Sequence, residues 1–561
     1  MNLFRLLRFF LPLQNPLGFG LTDFVELGVA ALIVAALLSR DRIERLLRAV
    51  ADRPAMSMVI LAILPVALRL ALLPRHPVPV AQTSDDFSYL LLGDTLAHFR
   101  FANPAHPMRR FFETVFVLQE PTYSSIYPPG QGFVLAIGEL LFHLPWAGVA
   151  LSIGALCALC YWMLRAWVSP VWALAGGLLA VMEFGPLNQW MNNYWGGAVS
   201  AIAGCLVFGA IPRIWVSGRP RYAALAGFGL GLQILTRPFE SVLLAVCALP
   251  ALVKIRRRAL VAGLAALLPA LLITAAQNKA VTGSWTTLPY MLSRYQYGVP
   301  TTFTFQKVPA PHRELTQEEK LDYQAQKEVH GDQPETIVTY LTRLAGRVRF
   351  FRFFFLPPLY AALLFFVPAL RRKRFAWVAG CILLFSLGTN IYPYYYPHYI
   401  AAVTCLLVLA AVAGLQRLSR LRWRGFAVGG DAMRLISLLC VAHFLFWYGL
   451  HLFGNEEVFG ASGPYESWDY VNFGDTEGRI AVNDRLAQAP GRQLVFVRYG
   501  PAHLLREWIH NDADIDRSRV VWALDLGPDE DAKLIRYYGD RTAWIVEPDA
   551  NPPRLRPYKT D

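Results

Sequence analysis

Long apolar runs alternate with short clusters of Lys and Arg along most of this chain. Runs of this length are typical of membrane-spanning helices, because a bilayer core about 30 Å thick requires about 20 residues that rise 1.5 Å each. We count about twelve such runs with a window of about 19 residues, at 21–38, 56–73, 147–164, 171–187, 198–212, 222–236, 239–253, 259–277, 351–369, 375–390, 398–416 and 432–453. The pattern therefore predicts a polytopic α-helical membrane protein.

The composition supports a membrane protein and argues against a nucleic-acid-binding one. Hydrophobic residues make up 55% of the chain and charged residues only 17%, whereas soluble domains carry about 25% charged residues. The formal net charge is +13, but the basic residues lie in clusters between apolar runs. Such clusters are topology signals, so we expect membrane lipids and no nucleic acid as partners.

The basic clusters predict which segments lie outside. They are 40–53, 213–221, 254–258, 371–374 and 417–424, and the positive-inside rule places all of them in the cytoplasm. If the apolar run 131–146 also spanned the membrane, every later cluster would lie outside. We therefore expect 131–146 to be an interfacial or re-entrant helix, with external segments at 74–146 and 278–350.

This topology divides the chain into three parts. Residues 1–54 are expected to form an extra N-terminal helix and a cytoplasmic linker, and residues 55–453 the transmembrane domain. The tail 454–561 turns polar and is predicted to be an extracytoplasmic α/β domain. Its strand-like runs and its helical pattern are, in that order, 493–499, 520–526, 542–547 and 529–538.

Adjacent aspartates, Asp85 and Asp86, begin the first external segment. Carboxylates near a membrane surface are costly unless they have a task, and such a pair can accept a proton from a hydroxyl or hold a metal. The alternative is that they cap the helix beginning near Phe87, since Asp is a favoured N-cap residue. One Asp is enough for a cap, which leaves the other for chemistry.

Four cationic or titratable residues are predicted at or just beyond the outer ends of helices, where a lipid phosphate would lie: Arg237, Lys279, Arg294 and His398. Arg237 could instead pair with Glu240, and His398 could belong to an interfacial aromatic belt. Lys279 and Arg294 could simply extend to lipid headgroups.

Nucleotide sugars are absent outside a bacterial cytoplasmic membrane, so a sugar donor there would have to be carried by a lipid.

The second external segment combines aromatic and amide residues near Tyr295 with a charged stretch, 313–327, that is predicted to be helical and solvated. The aromatic and amide groups suit a sugar or acceptor pocket, although a lid without chemistry is an equal alternative.

The run Ser84–Leu92 followed by Tyr127–Phe133, with its Pro-Pro pair, resembles the first external loop of the GT-C membrane glycosyltransferases. That superfamily includes protein O-mannosyltransferases and the aminoarabinose transferases of lipid A. The resemblance covers roughly residues 55–420. It implies a polyprenyl-phosphate-linked sugar donor, an inverting transfer of a hexosyl or pentosyl group, and Asp85 as general base, with Asp86 second in line.

One feature departs from the superfamily pattern. Many members carry an aspartate after the third core helix, where this chain offers only Glu183 or Asn193. Either of these takes that role or no second acid exists, so a requirement for Mg²⁺ or Mn²⁺ stays open and we assign no metal ligands. The predicted substrate pocket contains Tyr89, Tyr127, Glu183, Asn193, Tyr194 and Tyr295.

The sequence thus predicts a glycosyltransferase of the bacterial cytoplasmic (inner) membrane, with its catalytic face and C-terminal domain outside. Its acceptor would be a protein, a lipid or a glycan. The alternatives are a transporter or flippase of polyprenol-linked glycans and a non-catalytic envelope assembly protein. A transporter would hold its charges near the bilayer midplane, whereas the acids here are predicted at the outer surface.

Overall fold

The computed structural model describes residues 40–253, 255–331, 335–453, 468, 478–503 and 506–558. The apolar run 21–38, on which the extra N-terminal helix was predicted, lies outside the described residues. From residue 40 to residue 453 the α-helices are α1 Arg40–Ala51, α2 Pro54–Ala71, α3 Ser84–Ala97, α4 Pro129–Phe142, α5 Pro145–Leu164, α6 Pro170–Phe184, α7 Ala198–Ser217, α8 Pro220–Thr236, α9 Pro238–Leu252, α10 Arg257–Thr282, α11 Pro289–Tyr297, α12 Gln317–His330, α13 Ile337–Arg347, α14 Leu359–Phe366, α15 Lys373–Thr389, α16 Thr404–Leu418 and α17 Val428–Phe453.

Six helical segments of the described chain are long and apolar enough to cross a membrane, and a seventh is counted if one bent pair forms a single span. The six are α2, α5, α7, α10, the segment Pro397–Leu418 that ends with α16, and α17. The helices α4, α6 and α9 are apolar but shorter. The structure therefore has the predicted polytopic helical architecture, whereas the count of about twelve spans stays a prediction.

Proline marks the start of several of these helices, which explains why the apolar runs break where they do. Pro54, Pro129, Pro145, Pro170 and Pro238 each stand in the first turn. Proline is favoured there because its missing N–H would have no intrahelical partner at that position. Closely spaced apolar runs thus become separate helices joined by tight turns.

The helix α4 covers most of the run predicted to be interfacial or re-entrant. Its 14 residues extend about 21 Å at 1.5 Å per residue, which is less than a bilayer core. It packs tightly on α5, where a Cβ on Gly148 would lie 1.8 Å from the carbonyl oxygen of Val134. A short helix in such close contact is compatible with the re-entrant interpretation.

Between α2 and α4 lies a segment that we call the first interhelical segment, residues 72–128. It contains α3 and a small sheet of β1 Asn103–Pro104, β2 Val117–Leu118 and β3 Thr122–Ser125. The central strand β3 pairs antiparallel with both neighbours. This sheet lies between the end of α3 and the start of α4.

The second interhelical segment, residues 283–336, contains α11 and α12. The helix predicted within the charged stretch 313–327 is present as α12. Thr316 and Glu319 form a capping box at its start. The expectation that this helix is solvated holds for only one face, which carries the exposed residues Lys320 and Glu328. Glu318, Glu319 and Asp322 are all buried, since the other face of α12 packs against other parts of the protein.

The C-terminal part forms a four-stranded sheet with two helices. In chain order its elements are α18 Arg479–Gln488, β4 Arg492–Val497, β5 Val520–Leu524, α19 Pro528–Tyr537, β6 Arg541–Glu547 and β7 Arg554–Pro557. The strand order is β5-β4-β6-β7, with β4 parallel to β5 and β6, and β7 antiparallel to β6. The strand-like runs and the helical pattern in the tail thus correspond to β4, β5, β6 and α19.

This C-terminal sheet shares a hydrophobic core with the first interhelical segment. Phe111, Phe112 and Tyr123 of that segment are buried in one cluster with Leu494 and Phe496 of β4. Polar contacts continue along α3, where the backbone N–H of Ala513 donates to Asp94 over 2.6 Å. The N–H of Glu507 donates to the carbonyl of Gln82 over 3.2 Å. The last part of the chain is therefore built onto the helix that begins with the two aspartates.

Candidate active site

Asp86 completes the capping box of α3, whose N-cap residue is Thr83. Its carboxylate accepts from the backbone N–H groups of Gln82 and Thr83, both over 3.3 Å, and from the Thr83 hydroxyl over 3.2 Å. Its second oxygen accepts from the backbone N–H of Tyr194 over 3.1 Å. Burial raises the pKa of Asp86, and these hydrogen bonds oppose that rise. The alternative of an aspartate N-cap is wrong, because α3 begins at Ser84 and not near Phe87, and its N-cap residue is Thr83. Asp86 takes part in the capping box from the third helical position, and Asp85 takes no part in it.

Asp85 lies beside Asp86 and is only half-buried. The Tyr127 hydroxyl donates to its carboxylate, and the Tyr127 ring stacks on Tyr89 with centroids 4.2 Å apart. Burial and the negative charge of Asp86 raise the pKa of Asp85 to about 6, while Tyr127 and Arg237 act in the opposite direction. A carboxylate with such a pKa is ionised at neutral pH, yet it is more basic than an ordinary aspartate.

Arg237 occupies the turn between α8 and α9, within electrostatic reach of Asp85. Its nearest acid is Glu240, at 3.6 Å, and its guanidinium lies 4.7 Å from the ring centroid of Tyr399. The predicted alternative, an ion pair with Glu240, is therefore present but long. Arg237 is thus a half-buried cation close to Glu240, Tyr399 and Asp85.

An aromatic wall, residues 392–399, faces this group. His398 is buried and stacks on Tyr396 with the ring planes 8° apart. The Trp195 ring contacts His398 edge-on, with centroids 5.5 Å apart. The electrostatic interactions of Asp85 extend to Tyr394, Tyr396 and Tyr399. His398 is thus part of the aromatic wall, as one of the two alternatives had it.

Tyr194 and Asn193 support the site from the turn that precedes α7. The Tyr194 hydroxyl donates to the carbonyl of Pro79 over 2.7 Å, and the Tyr194 carbonyl accepts from Gln131 of α4. Asn193 accepts from the backbone N–H of Gly196 over 3.3 Å. These contacts fix the turn that holds Asp86 in place.

Glu183, Lys279 and Tyr295 are not brought to Asp85. Glu183 is buried at the end of α6 and interacts electrostatically with Tyr360 and Cys440. The other two are exposed: Lys279 donates to the carbonyl of Gly283 over 2.7 Å, and Tyr295 stacks on His312.

Arg294 lies at the edge of the site. Its guanidinium donates to the carbonyls of Pro300 and Thr301 over 3.1 and 3.4 Å. Burial lowers its pKa, while Tyr290, Tyr394 and Tyr392 raise it. Arg294 is therefore near the aromatic wall, with part of its hydrogen-bonding capacity already used by backbone.

Asp322 is the site residue that the sequence interpretation missed. It lies on α12, is 1% exposed, and interacts electrostatically with Asp85. The spacing of Glu318, Glu319 and Asp322 places them on one face of a helix. That spacing was the available signal, but a charged helix face is more often solvated than buried.

A separate cavity of about 470 Å³ lies between the first interhelical segment, α12 and the carboxyl ends of β4 and β5. Its four arginines are each paired with an acid: Arg109 with Glu120, Arg110 with Glu314, Arg313 with Glu113, and Arg498 with Asp525. Asp85 does not line it. Because each of the four arginines that line this cavity has an acidic partner, none of them is left to bind an anionic ligand.

A divalent cation was left open by the sequence. Within the described residues, no group of three or more His, Cys, Asp or Glu side chains is arranged to hold a metal ion. Asp86, the nearest acid to Asp85, already accepts four hydrogen bonds. We therefore assign no metal ligands.

The described helices and the site define a class of protein: a polytopic α-helical membrane protein with a buried acid, arginine and tyrosine cluster beside its third helix. No protein-family model and no curated protein sequence matches the chain. Among solved structures, ArnT from Cupriavidus metallidurans bound to undecaprenyl phosphate is similar, with a TM-score of 0.50 and 14% identity over 87% of this chain and 92% of that one. The chain therefore has the GT-C fold of that structure.

Two further structures are similar at lower scores. The apo state of the same ArnT gives a TM-score of 0.48 at 14% identity, again over 87% of this chain and 92% of that one. The oligosaccharyltransferase AglB from Archaeoglobus fulgidus, in complex with an inhibitory peptide and a dolichol-phosphate, gives 0.42 at 11% identity, over 88% of this chain and 69% of that one.

Proposed function

We propose that this protein is a glycosyltransferase that moves a sugar from a polyprenyl-phosphate-linked donor to an acceptor outside the bacterial cytoplasmic membrane. The proposal rests on Asp85. Its carboxyl group has a pKa of about 6, accepts a hydrogen bond from the Tyr127 hydroxyl and lies within electrostatic reach of Arg237. The GT-C fold supports it, since the similar ArnT structure holds undecaprenyl phosphate.

In this mechanism, Asp85 is the general base of an inverting transfer. The acceptor oxygen attacks the anomeric carbon while its proton passes to the Asp85 carboxylate. The bond between the anomeric carbon and the phosphate oxygen breaks, and its electron pair leaves with the lipid phosphate. Tyr127 holds the carboxylate in place, so that little reorientation is needed during the reaction.

Arg237 is the residue best placed to stabilise the leaving phosphate. A guanidinium is a strong phosphate ligand because its fork of N–H groups matches phosphate oxygens. Its ion pair with Glu240 is 3.6 Å long, longer than the usual charge-assisted hydrogen bond of about 2.8 Å. A bound phosphate would thus meet a cation that Glu240 does not fully satisfy.

The tyrosines around Asp85 suit a sugar. Tyr89 and Tyr127 form a stacked pair on one side, and Tyr394, Tyr396 and Tyr399 form the other side. Such pockets bind ligands through apolar faces and a few convergent polar groups. The acceptor, whether protein, lipid or glycan, would enter from the side of the two interhelical segments.

The proposal is tested with purified protein in nanodiscs and undecaprenyl-phosphate-linked glucose, mannose and arabinose. Wild type is expected to release undecaprenyl phosphate from one of these donors, by transfer or by slow hydrolysis. Asp85→Asn should reduce this rate about 10²- to 10⁴-fold, the usual contribution of a general base. Asp529→Asn, an exposed aspartate of α19, is the matched control and should retain the wild-type rate.

Two results would contradict the proposal. If wild type neither binds nor consumes any sugar-linked lipid, the protein is not this kind of transferase. If wild type carries intact sugar-linked lipid between leaflets of a proteoliposome, the flippase alternative is correct. Full activity in Asp85→Asn would instead reject Asp85 as the base.

A further inference from the structure

The buried face of α12 carries three acids, and each has one carboxylate oxygen that is buried without a hydrogen-bond partner among the described residues. Of the three, Asp322 is the one that interacts electrostatically with Asp85. Glu319 accepts from the backbone N–H of Thr316 over 2.8 Å and so completes the helix cap. Glu318 lines the separate cavity and lies against Glu507. Asp322 stands one turn further along the same face, towards Asp85.

Asp322 is anchored to the aromatic wall by a single amide side chain. Gln326 donates to its Oδ2 over 2.8 Å. The Gln326 carbonyl oxygen in turn accepts from the Tyr394 hydroxyl over 3.1 Å and from the backbone N–H of Thr301 over 3.0 Å. The orientation of Asp322 is thus fixed by two other segments, which is the support that a functional side chain requires.

The other oxygen of Asp322, Oδ1, is buried and has no hydrogen-bond partner among the described residues. A buried carboxylate oxygen without a donor is unfavourable, and such atoms call for an explanation in a native protein. The carboxyl group of Asp85 lies nearby. It interacts electrostatically with Asp322, and both aspartates have Tyr394 as a neighbour.

The charges around the two aspartates determine how they titrate. Asp85 faces Asp86, Arg237 and the Tyr127 hydroxyl. Burial raises the pKa of Asp322 to about 7, with Asp85 adding to the rise and Gln326 opposing it. Asp322 therefore keeps its proton to a higher pH than Asp85, because the negative charge of Asp85 opposes its ionisation.

We propose that Asp322 is a second catalytic carboxyl group of this site, and that its Oδ1 forms a hydrogen bond with a hydroxyl group of the sugar being transferred. This inference rests on the proposed glycosyl transfer and adds a residue to it. Asp322 forms no covalent bond: the acceptor proton goes to Asp85, and the electron pair of the broken bond leaves on the phosphate.

The first readout is binding, which does not depend on turnover. Thermal unfolding is measured with undecaprenyl phosphate alone and with the sugar-linked lipid that wild type binds best. In wild type the sugar should add to the stabilisation given by the lipid phosphate. Asp322→Asn and Asp322→Ala should lose most of this additional shift while keeping the shift given by undecaprenyl phosphate.

The second readout is the dependence of the donor-consumption rate on pH. Asp322→Ala should lower kcat/KM about 10- to 100-fold, as expected for one hydrogen bond to an ionisable group. Asp322→Asn removes the group that titrates near pH 7 and leaves Asp85, with its pKa of about 6, to set the acidic limb, so this limb of the profile should move to lower pH. Glu328→Gln, an exposed acid on the same helix, is the control and should behave as wild type in both measurements.

The outcomes separate this inference from the function on which it rests. If wild type consumes a donor while Asp322→Asn keeps its sugar-dependent shift and its pH profile, the role of Asp322 is wrong and the proposed function stands. A general loss of thermal stability, with an unchanged acidic limb and KM, would show a structural role and also overturn the inference. If wild type binds no sugar-linked lipid, the proposed function itself fails.

Discussion

Replacing Asp85 with Asn should make the protein more stable, and the gain should depend on pH in a defined direction. The pKa of Asp85 rises from 3.8 to about 6 in the folded chain, mainly through burial. At 1.36 kcal/mol per pKa unit, this rise corresponds to an upper limit of about 3 kcal/mol of stability lost when Asp85 ionises. The Tyr127 hydroxyl can still donate to the Asn side chain.

The sign follows from proton binding. Between pH 3.8 and about 6 the folded chain holds the Asp85 proton while the unfolded chain has released it, so wild type loses stability as the pH rises through this window. Asn has no proton to lose. The difference in free energy of unfolding between Asp85→Asn and wild type should therefore be smallest near pH 4, increase up to about pH 6, and stay constant above it.

The assay is thermal unfolding of both proteins in the same nanodiscs from pH 4 to pH 8, with Asp529→Asn as control. We expect a difference of a few degrees in Tm above pH 6 and a much smaller one at pH 4. A difference that is constant across this range, or that is largest at pH 4, would show that Asp85 is not a carboxyl group with a raised pKa. The assignment of Asp85 as a tuned base would then lose its physical basis.

Two further predictions concern the neighbours of Asp85. Tyr127→Phe removes the hydrogen bond that lowers the pKa of Asp85, so the acidic limb of the rate profile should move to higher pH; an unchanged limb would mean that Tyr127 does not hold the base. Asp86→Ala removes one half of the α3 capping box and leaves the buried N–H of Tyr194 without its acceptor, which should cost about 1–3 kcal/mol of unfolding free energy. Thermal unfolding measures this cost, and a loss no larger than that of Asp529→Ala would contradict the capping role.

The parts of the site that the sequence predicted are those that lie at helix ends. Asp85, Tyr127 and Arg237 each stand at the start or end of a helix, and the predicted topology placed those ends on the same side. Helix ends can be read from proline, glycine and acidic residues. The general location of the site therefore followed from local signals.

The remaining residues of the candidate site depend on which faces of the polar helices are buried. A sequence does not show which face will be buried. The acids of α12 are buried because the first interhelical segment and the C-terminal sheet cover them, and neither packing arrangement has a local signal. Glu183 was predicted to lie in the substrate pocket but is not brought to Asp85, for a related reason. It lies near the end of α6, but its side chain interacts with Tyr360 and Cys440 of other helices.

The C-terminal sheet also has a consequence for how the protein is made. Residues 494–496 and 513 share a core or a hydrogen bond with α3, so the neighbourhood of Asp85 contains chain that the ribosome delivers more than 400 residues later. Contacts between such distant parts form late, because a long loop must close first. We expect the helices of a nascent chain to insert before the C-terminal sheet has packed against α3. The surroundings of Asp85 would then be complete only after synthesis of the whole chain has finished.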